Sequence, residues 1–440
     1  MSTHWTPPLL VFSAALALCG CGDKAGNDTT TSEGGVDDGG TEGNGGSDDG
    51  GSDDGGSDDG GSDDGETGSD SGTGDDGGGT VDADGDGYAA DEDCDDTDGA
   101  VWLVDSPTGT LDFDAFCPGY CGRTFQGDLD LSSASQAQVD QLSCLVGVTG
   151  DLVVVGNASV TGLDLGSLET VGQSLEISSC DALATVSLGA LSSTGEDVRI
   201  STNPSLVGVD LAAVAAVGQD VLFTLNESVS ALDLGALSTV GRSVYLQSNP
   251  SLSSVDLGSL TGVVSELYVR NLAQLSSLDL DALTGTGGTV WLDRNPALTT
   301  LDLGALTSTG GGLLISHDDA LTTLDLTALT STGSTLEVSH TDALTNLDLS
   351  ALTTTGGYLL VYNNTALRGV DLNGLMGTRG ALTVELNQRL SSLYLRALTQ
   401  TAGDLTIVHN ALCADDVAAL EGQVDVLGTF TNRDNIGSCP

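Results

Sequence analysis

The 440-residue chain is poor in basic residues, in aromatic residues and in long apolar runs. It has 11 Lys and Arg against 64 Asp and Glu, which gives a formal net charge of −53, and its aromatic content is only 4%. Because such a charge repels polyanions, we expect no nucleic-acid partner. No apolar run approaches the roughly 20 residues that a membrane-spanning helix needs, which argues against a membrane-embedded enzyme.

The beginning of the chain has the pattern of an export signal. Leu9–Leu18 is a ten-residue apolar run, about the length of the hydrophobic part of a signal peptide. The residues from Leu18 to Cys21 (LCGC) follow, and they resemble the bacterial lipobox, whose cysteine receives a lipid. The resemblance implies that residues 1–20 are a lipoprotein signal peptide and that Cys21 anchors the protein at the bacterial outer membrane or cell surface. An ordinary secretory peptide cleaved nearby is the alternative.

Residues 21–80 form an acidic low-complexity segment. The block Gly-Ser-Asp-Asp-Gly occurs four times in succession from Gly46. It offers no apolar surface to bury, and its like charges repel one another, so we expect a disordered tether. Its expected role is to hold the following residues away from a membrane.

A more specific motif follows within residues 81–100. If Asp82 is position 1, acidic residues stand at positions 1, 3, 5 and 12, with a glycine at position 6. Alternating carboxylates wrap a Ca²⁺ ion, the glycine permits a sharp turn, and position 7 supplies a backbone carbonyl. The motif resembles the Asp-rich calcium loops of thrombospondin type 3 repeats. The predicted Ca²⁺ ligands are Asp82, Asp84, Asp86, Tyr88 and Asp93, although an acidic linker without an ion is the alternative.

The rest of the chain is a regular array with a 23-residue period. The hexapeptide LDLGAL at Leu301 recurs in eleven copies, from Leu163 to Leu393, with no insertion. Each copy is followed by a segment of the form Gly-x-x-Leu-x-Ile-x-x-Asn, whose apolar columns extend over thirteen copies. Short alternating segments at a fixed period predict stacked parallel strands joined by turns, and we interpret Thr-rich segments such as residues 307–309 as turns. The Asn column suits a left-handed backbone and a ladder of amide hydrogen bonds.

The second segment resembles leucine-rich repeats and, more closely, the receptor L domain family. This resemblance covers about residues 120–440 and implies a binding scaffold rather than a chemistry. The predicted fold is therefore mainly β, a right-handed parallel β-solenoid of 23-residue repeats, capped by disulfides and preceded by the acidic tether. The predicted domains are a signal peptide at 1–20, the tether at 21–80, the calcium loop at 81–100, an N-terminal cap at 101–144, the solenoid at 145–412 and a C-terminal cap at 413–440.

Cysteines flank the array. Cys121 and Cys144 are one repeat apart, and stacked repeats place such positions within disulfide distance. By elimination we pair Cys413 with Cys439 across a short helix predicted at 414–424, and Cys94 with Cys117. Cys180 is left as a buried thiol. Disulfides indicate an extracytoplasmic location.

No catalytic set of residues rises above the repeat background, so we predict a protein that is not an enzyme. Between the two apolar columns of the second segment, five consecutive repeats place a large apolar side chain on the solvent side. We call this row the stripe and interpret it as a contact surface for a protein or glycan ligand, although strand packing alone or a dimer face explains it as well. The alternative function is a structural envelope spacer without a ligand. The stripe consists of Leu222, Tyr245, Tyr268, Trp291 and Leu314.

Overall fold

The computed structural model describes residues 124–436. These residues form a parallel β-solenoid, which confirms the predicted class of fold, while the hand of the coil stays a prediction. Cys21, the proposed calcium ligands and Cys94, Cys117, Cys121 and Cys439 lie outside the described residues. Each predicted disulfide includes at least one of these cysteines, so the disulfide caps also stay a prediction.

One sheet, here named the wide sheet, contains the Leu-x-Ile segments. It has 14 parallel strands, each paired with the strand one coil before it. The alternating pattern buries the first and third residues of a strand and turns the second and fourth outward, as in Leu267–Arg270. The strands are Leu129–Asp130, Leu152–Val155, Leu175–Ser178, Val198–Ser201, Val221–Thr224, Val244–Gln247, Leu267–Arg270, Val290–Asp293, Leu313–Ser316, Leu336–Ser339, Leu359–Tyr362, Leu382–Glu385, Leu405–Val408 and Phe430–Arg433.

A second sheet of 14 strands, the narrow sheet, lies where the sequence predicted turns. Ser308–Thr309 is one of its strands, so the interpretation of residues 307–309 as a turn was wrong. A strand this short cannot show alternation, which is why the pattern did not reveal it. The strands are Thr124–Phe125, Gly147–Val148, Thr170–Val171, Ser193–Thr194, Ala216–Val217, Thr239–Val240, Gly262–Val263, Gly285–Thr286, Ser308–Thr309, Ser331–Thr332, Thr354–Thr355, Gly377–Thr378, Gln400–Thr401 and Asp425–Val426.

The LDL hexapeptides supply the third group of strands, which pair in short sheets of two or three. Each strand ends on the Asp of the motif or its substitute, and the leucine that follows is buried in the core, as at Leu303. The strands are Gly162–Asp164, Thr185–Ser187, Gly208–Asp210, Ala231–Asp233, Ser254–Asp256, Ser277–Asp279, Thr300–Asp302, Thr323–Asp325, Asn346–Asp348, Gly369–Asp371 and Ser392–Tyr394.

Short helical elements lie near the start of the described residues. The helix Gln136–Val139 and the 3₁₀ turn Asp140–Leu142 precede the first LDL strand. Gln136 ties the helix to that strand, because its side-chain amide donates to the carbonyl of Gly162 at 2.8 Å.

A helix also interrupts the coil near the other end. It covers Ala414–Ala418, which is shorter than predicted. Both long sheets then resume at Asp425 and Phe430, so a fourteenth coil follows the thirteen predicted ones. Its register pairs Leu405 with Phe430, a longer step along the chain than the repeat period, and this is why the sequence pattern did not include it.

The glycine of the second segment is required by close stacking between coils. A Cβ atom at Gly310 would lie 2.1 Å from the carbonyl oxygen of Gly287, one coil earlier. That distance is far below a van der Waals contact, so a side chain there requires a backbone shift.

The Asn column forms the predicted ladder inside the coil. Asn249 is fully buried; its Oδ1 accepts the backbone N–H of Asn226 at 2.8 Å, and its Nδ2 donates to the carbonyl of Phe223 at 2.8 Å. The prediction that these asparagines adopt the left-handed backbone was wrong, because positive φ falls on the preceding residue in each coil, such as Ser248 at +57°. Cys180 is a buried free thiol in this column, as predicted, and burial raises its pKa.

Candidate functional site

The stripe is one continuous row on the outer face of the wide sheet. The register pairs Leu222 with Tyr245, Tyr245 with Tyr268, Tyr268 with Trp291 and Trp291 with Leu314. All five side chains are half-buried rather than freely exposed. The structure therefore brings the five predicted residues together and places them on the solvent side.

The aromatic rings of the stripe pack against one another edge to face. The Tyr245 and Tyr268 ring centroids are 5.3 Å apart at 81°, and those of Tyr268 and Trp291 are 5.6 Å apart at 82°. The guanidinium carbon of Arg270 lies 3.5 Å from the Trp291 ring centroid, in a cation–π contact. Burial raises the pKa values of the Tyr245 and Tyr268 phenols, so both rings are neutral at physiological pH. The row is thus a preformed ridge whose rings are held by their neighbours.

Polar groups border the ridge on the side where the strands begin. Arg242 donates from Nε to Oδ1 of Asp220 at 2.9 Å and makes a second bond to Oδ2 of the same carboxylate. Glu266 accepts hydrogen bonds from the Tyr245 hydroxyl at 3.1 Å and from Ser243 Oγ at 2.9 Å. These bonds fix the position of the Tyr245 ring and leave neither carboxylate unpartnered.

Asp293 gathers the polar groups on the other side of the ridge. Its Oδ2 accepts from Arg270 at 3.0 Å and from Arg294 at 2.7 Å, while its Oδ1 accepts from Ser316 at 2.9 Å and lies 3.1 Å from His317 Nδ1. The Asp293 side chain is only 3% exposed, whereas that of Arg294 is 56% exposed. The Arg294 side chain is therefore open to solvent, whereas the Asp293 carboxylate is not.

This arrangement makes the ridge an electrically balanced area on an acidic coil. Residues 124–436 contain 34 Asp and Glu but only nine Arg. Three of the nine, Arg242, Arg270 and Arg294, lie on the strands of the stripe or beside their ends. The acidic residues on these strands and at their starts are also three, namely Asp220, Glu266 and Asp293.

Sequence reasoning missed the polar partners of the stripe and one apolar neighbour. Asp293 stands at an outward position of its strand, and nothing in the alternating pattern signals that ion pairs bury it. Leu225 follows the strand of Leu222; it is 52% exposed and has a φ of +60°. Exposure of an apolar side chain and a left-handed backbone are each unfavourable for leucine. Neither feature can be predicted from the sequence alone.

The repeated Asp of the LDL strands has a structural role. In all nine, Oδ1 accepts the backbone N–H of the residue two positions on, as Asp302 does from Gly304 at 2.8 Å. Each Asp therefore closes the turn after its own strand. The other eight bonds are made by Asp164, Asp210, Asp233, Asp256, Asp279, Asp325, Asp348 and Asp371.

Two further observations concern residues 124–436 alone. Within this range no helix is long and apolar enough to cross a membrane. Over the same range no three His, Cys, Asp or Glu side chains are grouped so as to hold a metal ion. The proposed calcium loop lies outside it and is tested by neither observation.

Comparison with known proteins assigns no family. No protein family matches the chain, and no curated protein matches it either. Among solved structures, a leucine-rich-repeat protein of Leptospira interrogans is 13% identical, covering 68% of this chain and 95% of that one, with a TM-score of 0.14. The TLR13–ssRNA13 complex is likewise 13% identical, covering 73% of this chain and 80% of that one, with a TM-score of 0.12. At such scores these likenesses carry no argument, and the solenoid assignment rests on the strands described above.

Proposed function

We propose that this protein is a non-enzymatic binding module and that its contact surface is the stripe together with Arg242, Arg270 and Arg294, here named the aromatic patch. The observation that carries the proposal is the concentration of Trp, Tyr and Arg in one charge-balanced area of a chain with few of these residues. Trp, Tyr and Arg dominate the binding energy of protein interfaces.

A protein partner fits the patch better than a glycan does. Sugars stack on open aromatic faces, but Arg270 already covers a face of Trp291, and each tyrosine ring packs against a neighbouring ring. Ring edges and exposed guanidinium groups remain available, and these suit a packed protein surface. Because the rings are already held in place, binding costs little side-chain entropy.

The residues before 124 support a place of action on the bacterial surface. In this proposal Cys21 carries the lipid, the acidic tether spans the distance from the membrane, and the loop from Asp82 to Asp93 binds Ca²⁺. Incorporation of labelled fatty acid that persists in Cys21→Ser would contradict the anchor. Calorimetric Ca²⁺ uptake unchanged in Asp82→Ala/Asp86→Ala would contradict the loop.

The patch is tested on the full chain with a triple substitution, Tyr245→Ala/Tyr268→Ala/Trp291→Ala. Arrays of bacterial surface proteins and of glycans are probed with the wild-type chain, and each positive is then measured with the variant. We expect a protein ligand and at least a hundredfold weaker binding by the variant, because the central anchors of an interface contribute several kcal/mol.

The matched control is Leu360→Ala/Thr383→Ala/Thr406→Ala, which removes side chains from the same outward column beyond the end of the stripe. It should bind as the wild type does. Binding that survives the aromatic triple rejects the patch, and binding only to glycans rejects the protein partner. If nothing binds, the envelope-spacer function is favoured instead.

A further inference from the structure

The ladder inside the coil follows one hydrogen-bonding rule. At Asn295, Oδ1 accepts the backbone N–H of Leu272 from the preceding coil at 3.2 Å, and Nδ2 donates to the carbonyl of Val269 at 3.0 Å. Asn295 thus accepts one hydrogen bond and donates another, and its side chain is fully buried. Asn364 and Asn410 donate in the same way to the carbonyls at the equivalent position of the coil before them.

Asp318 occupies this column without a donor of its own when it is ionised. Its side chain is fully buried, and its Oδ1 accepts the backbone N–H of Asn295 at 2.8 Å, as the rule requires. Its Oδ2 stands in place of the donating amide nitrogen and has no hydrogen-bond partner. The carbonyl at the equivalent position of the coil before it belongs to Leu292, and a carbonyl only accepts.

We propose that the protonation state of Asp318 controls the ladder at this coil. When it is protonated, its carboxyl donates a hydrogen bond to the Leu292 carbonyl and completes the ladder. When it is ionised, this bond is lost and the ladder is weakened there. The carboxyl proton of Asp318 thus takes the place of the amide hydrogen that an asparagine donates at this position in other coils. Asp318 lies in the same coil as Leu314, which is at the end of the aromatic patch. It directly follows His317, which contacts Asp293.

The charges around Asp318 favour the protonated form. Burial, above all, raises its pKa to about 7, against the hydrogen bond from the Asn295 backbone, and the carboxylates of Asp293 and Asp319 raise it further. The other titratable or charged groups facing this corner are Arg294 in the coil before, His317 beside it and His340 in the coil after. Arg294 and His317 are both engaged with Asp293 rather than with Asp318.

The direction of the pH dependence follows from this shift. The folded-state pKa lies above the ordinary value of 3.8, so the folded chain keeps this proton between about pH 4 and pH 7 while the unfolded chain loses it. The contribution of Asp318 to stability is therefore complete below pH 4, falls as pH rises to 7 and is lost above 7. Loss of the Asp318 proton, and of the hydrogen bond that it makes, favours opening of the ladder near neutral pH.

The experiment compares the full chain with Asp318→Asn, which supplies the ladder donor at every pH. Equilibrium unfolding is measured at pH 4, 5.5, 7 and 8.5, and the Asp318 carboxyl carbon is titrated by NMR. We expect the two chains to unfold alike at pH 4. At pH 8.5 the variant should have an unfolding equilibrium constant about 100 to 1,000 times smaller, since each pKa unit corresponds to about tenfold.

Asp319→Asn is the matched control, because it removes a neighbouring exposed carboxylate without touching the ladder. It should leave most of the pH dependence in place. In a second variant, Asn203→Asp, a distant coil acquires the same acid and should acquire the same loss of stability above pH 7. A carboxyl carbon of Asp318 that titrates near pH 4, or a pH profile unchanged in Asp318→Asn, would overturn the proposal.

Discussion

The ladder column and the stripe column share one period but obey different constraints. In the ladder, eight of the twelve positions from 157 to 410 are Asn, because an asparagine side chain there satisfies buried backbone groups of neighbouring coils. In the stripe column the residues range from Glu176 and Arg199 through three aromatic rings to Thr406. The coil does not dictate an outward residue, so a run of Tyr, Tyr and Trp there calls for a reason outside the fold.

The largest effect is expected in the ladder. Asn249→Ala removes three hydrogen bonds and leaves the buried Asn226 N–H without its partner. We expect the free energy of unfolding to fall by about 2–4 kcal/mol. The measurement is denaturant unfolding, with the outward Thr383→Ala as control, which should stay within about 0.5 kcal/mol. Equal losses in the two variants would abolish the distinction between the columns.

A middle-sized effect is expected within the stripe. Tyr268→Ala removes both edge-to-face ring contacts, so stability should fall by about 1–3 kcal/mol, less than in the ladder. The control is Tyr358→Ala, whose side chain is 61% exposed, and its unfolding should hardly change. If Tyr268→Ala lowered the free energy of unfolding as much as Asn249→Ala does, the stripe would serve the stability of the fold.

The smallest effect has the opposite sign. Leu225→Asn places a residue that tolerates positive φ at a corner with a φ of +60°, and it removes an exposed apolar side chain beside the patch. We expect stability to rise by about 0.5–1 kcal/mol, while ligand binding weakens. The reverse change at the equivalent position two coils later, Asn271→Leu, should lower stability by a similar amount. If Leu225→Asn destabilises the chain, Leu225 serves the fold rather than binding.

The sequence predicted what the period enforces and missed what single coils add. Stacked leucines such as Leu303 and the Asn ladder could be predicted because most copies repeat them. The narrow sheet could not, since strands such as Ser308–Thr309 are too short for a pattern, and the coil at Phe430 breaks the spacing. The burial of Asp293 depends on Arg270 one coil earlier and on the adjacent Arg294. Arginine occurs once in each of these two columns, so no repeat signals it.

The central claim is that the aromatic patch is covered by a partner on the cell surface. The most direct test is hydroxyl-radical labelling of the full chain, followed by mass spectrometry, on intact cells that carry the protein and on the purified protein. Tyr358 and Tyr394 are exposed and lie outside the patch, so they serve as internal references. We predict that labelling of Tyr268 and Trp291 falls several-fold on cells while the references stay unchanged. Equal labelling of all four residues in both samples would contradict the claim.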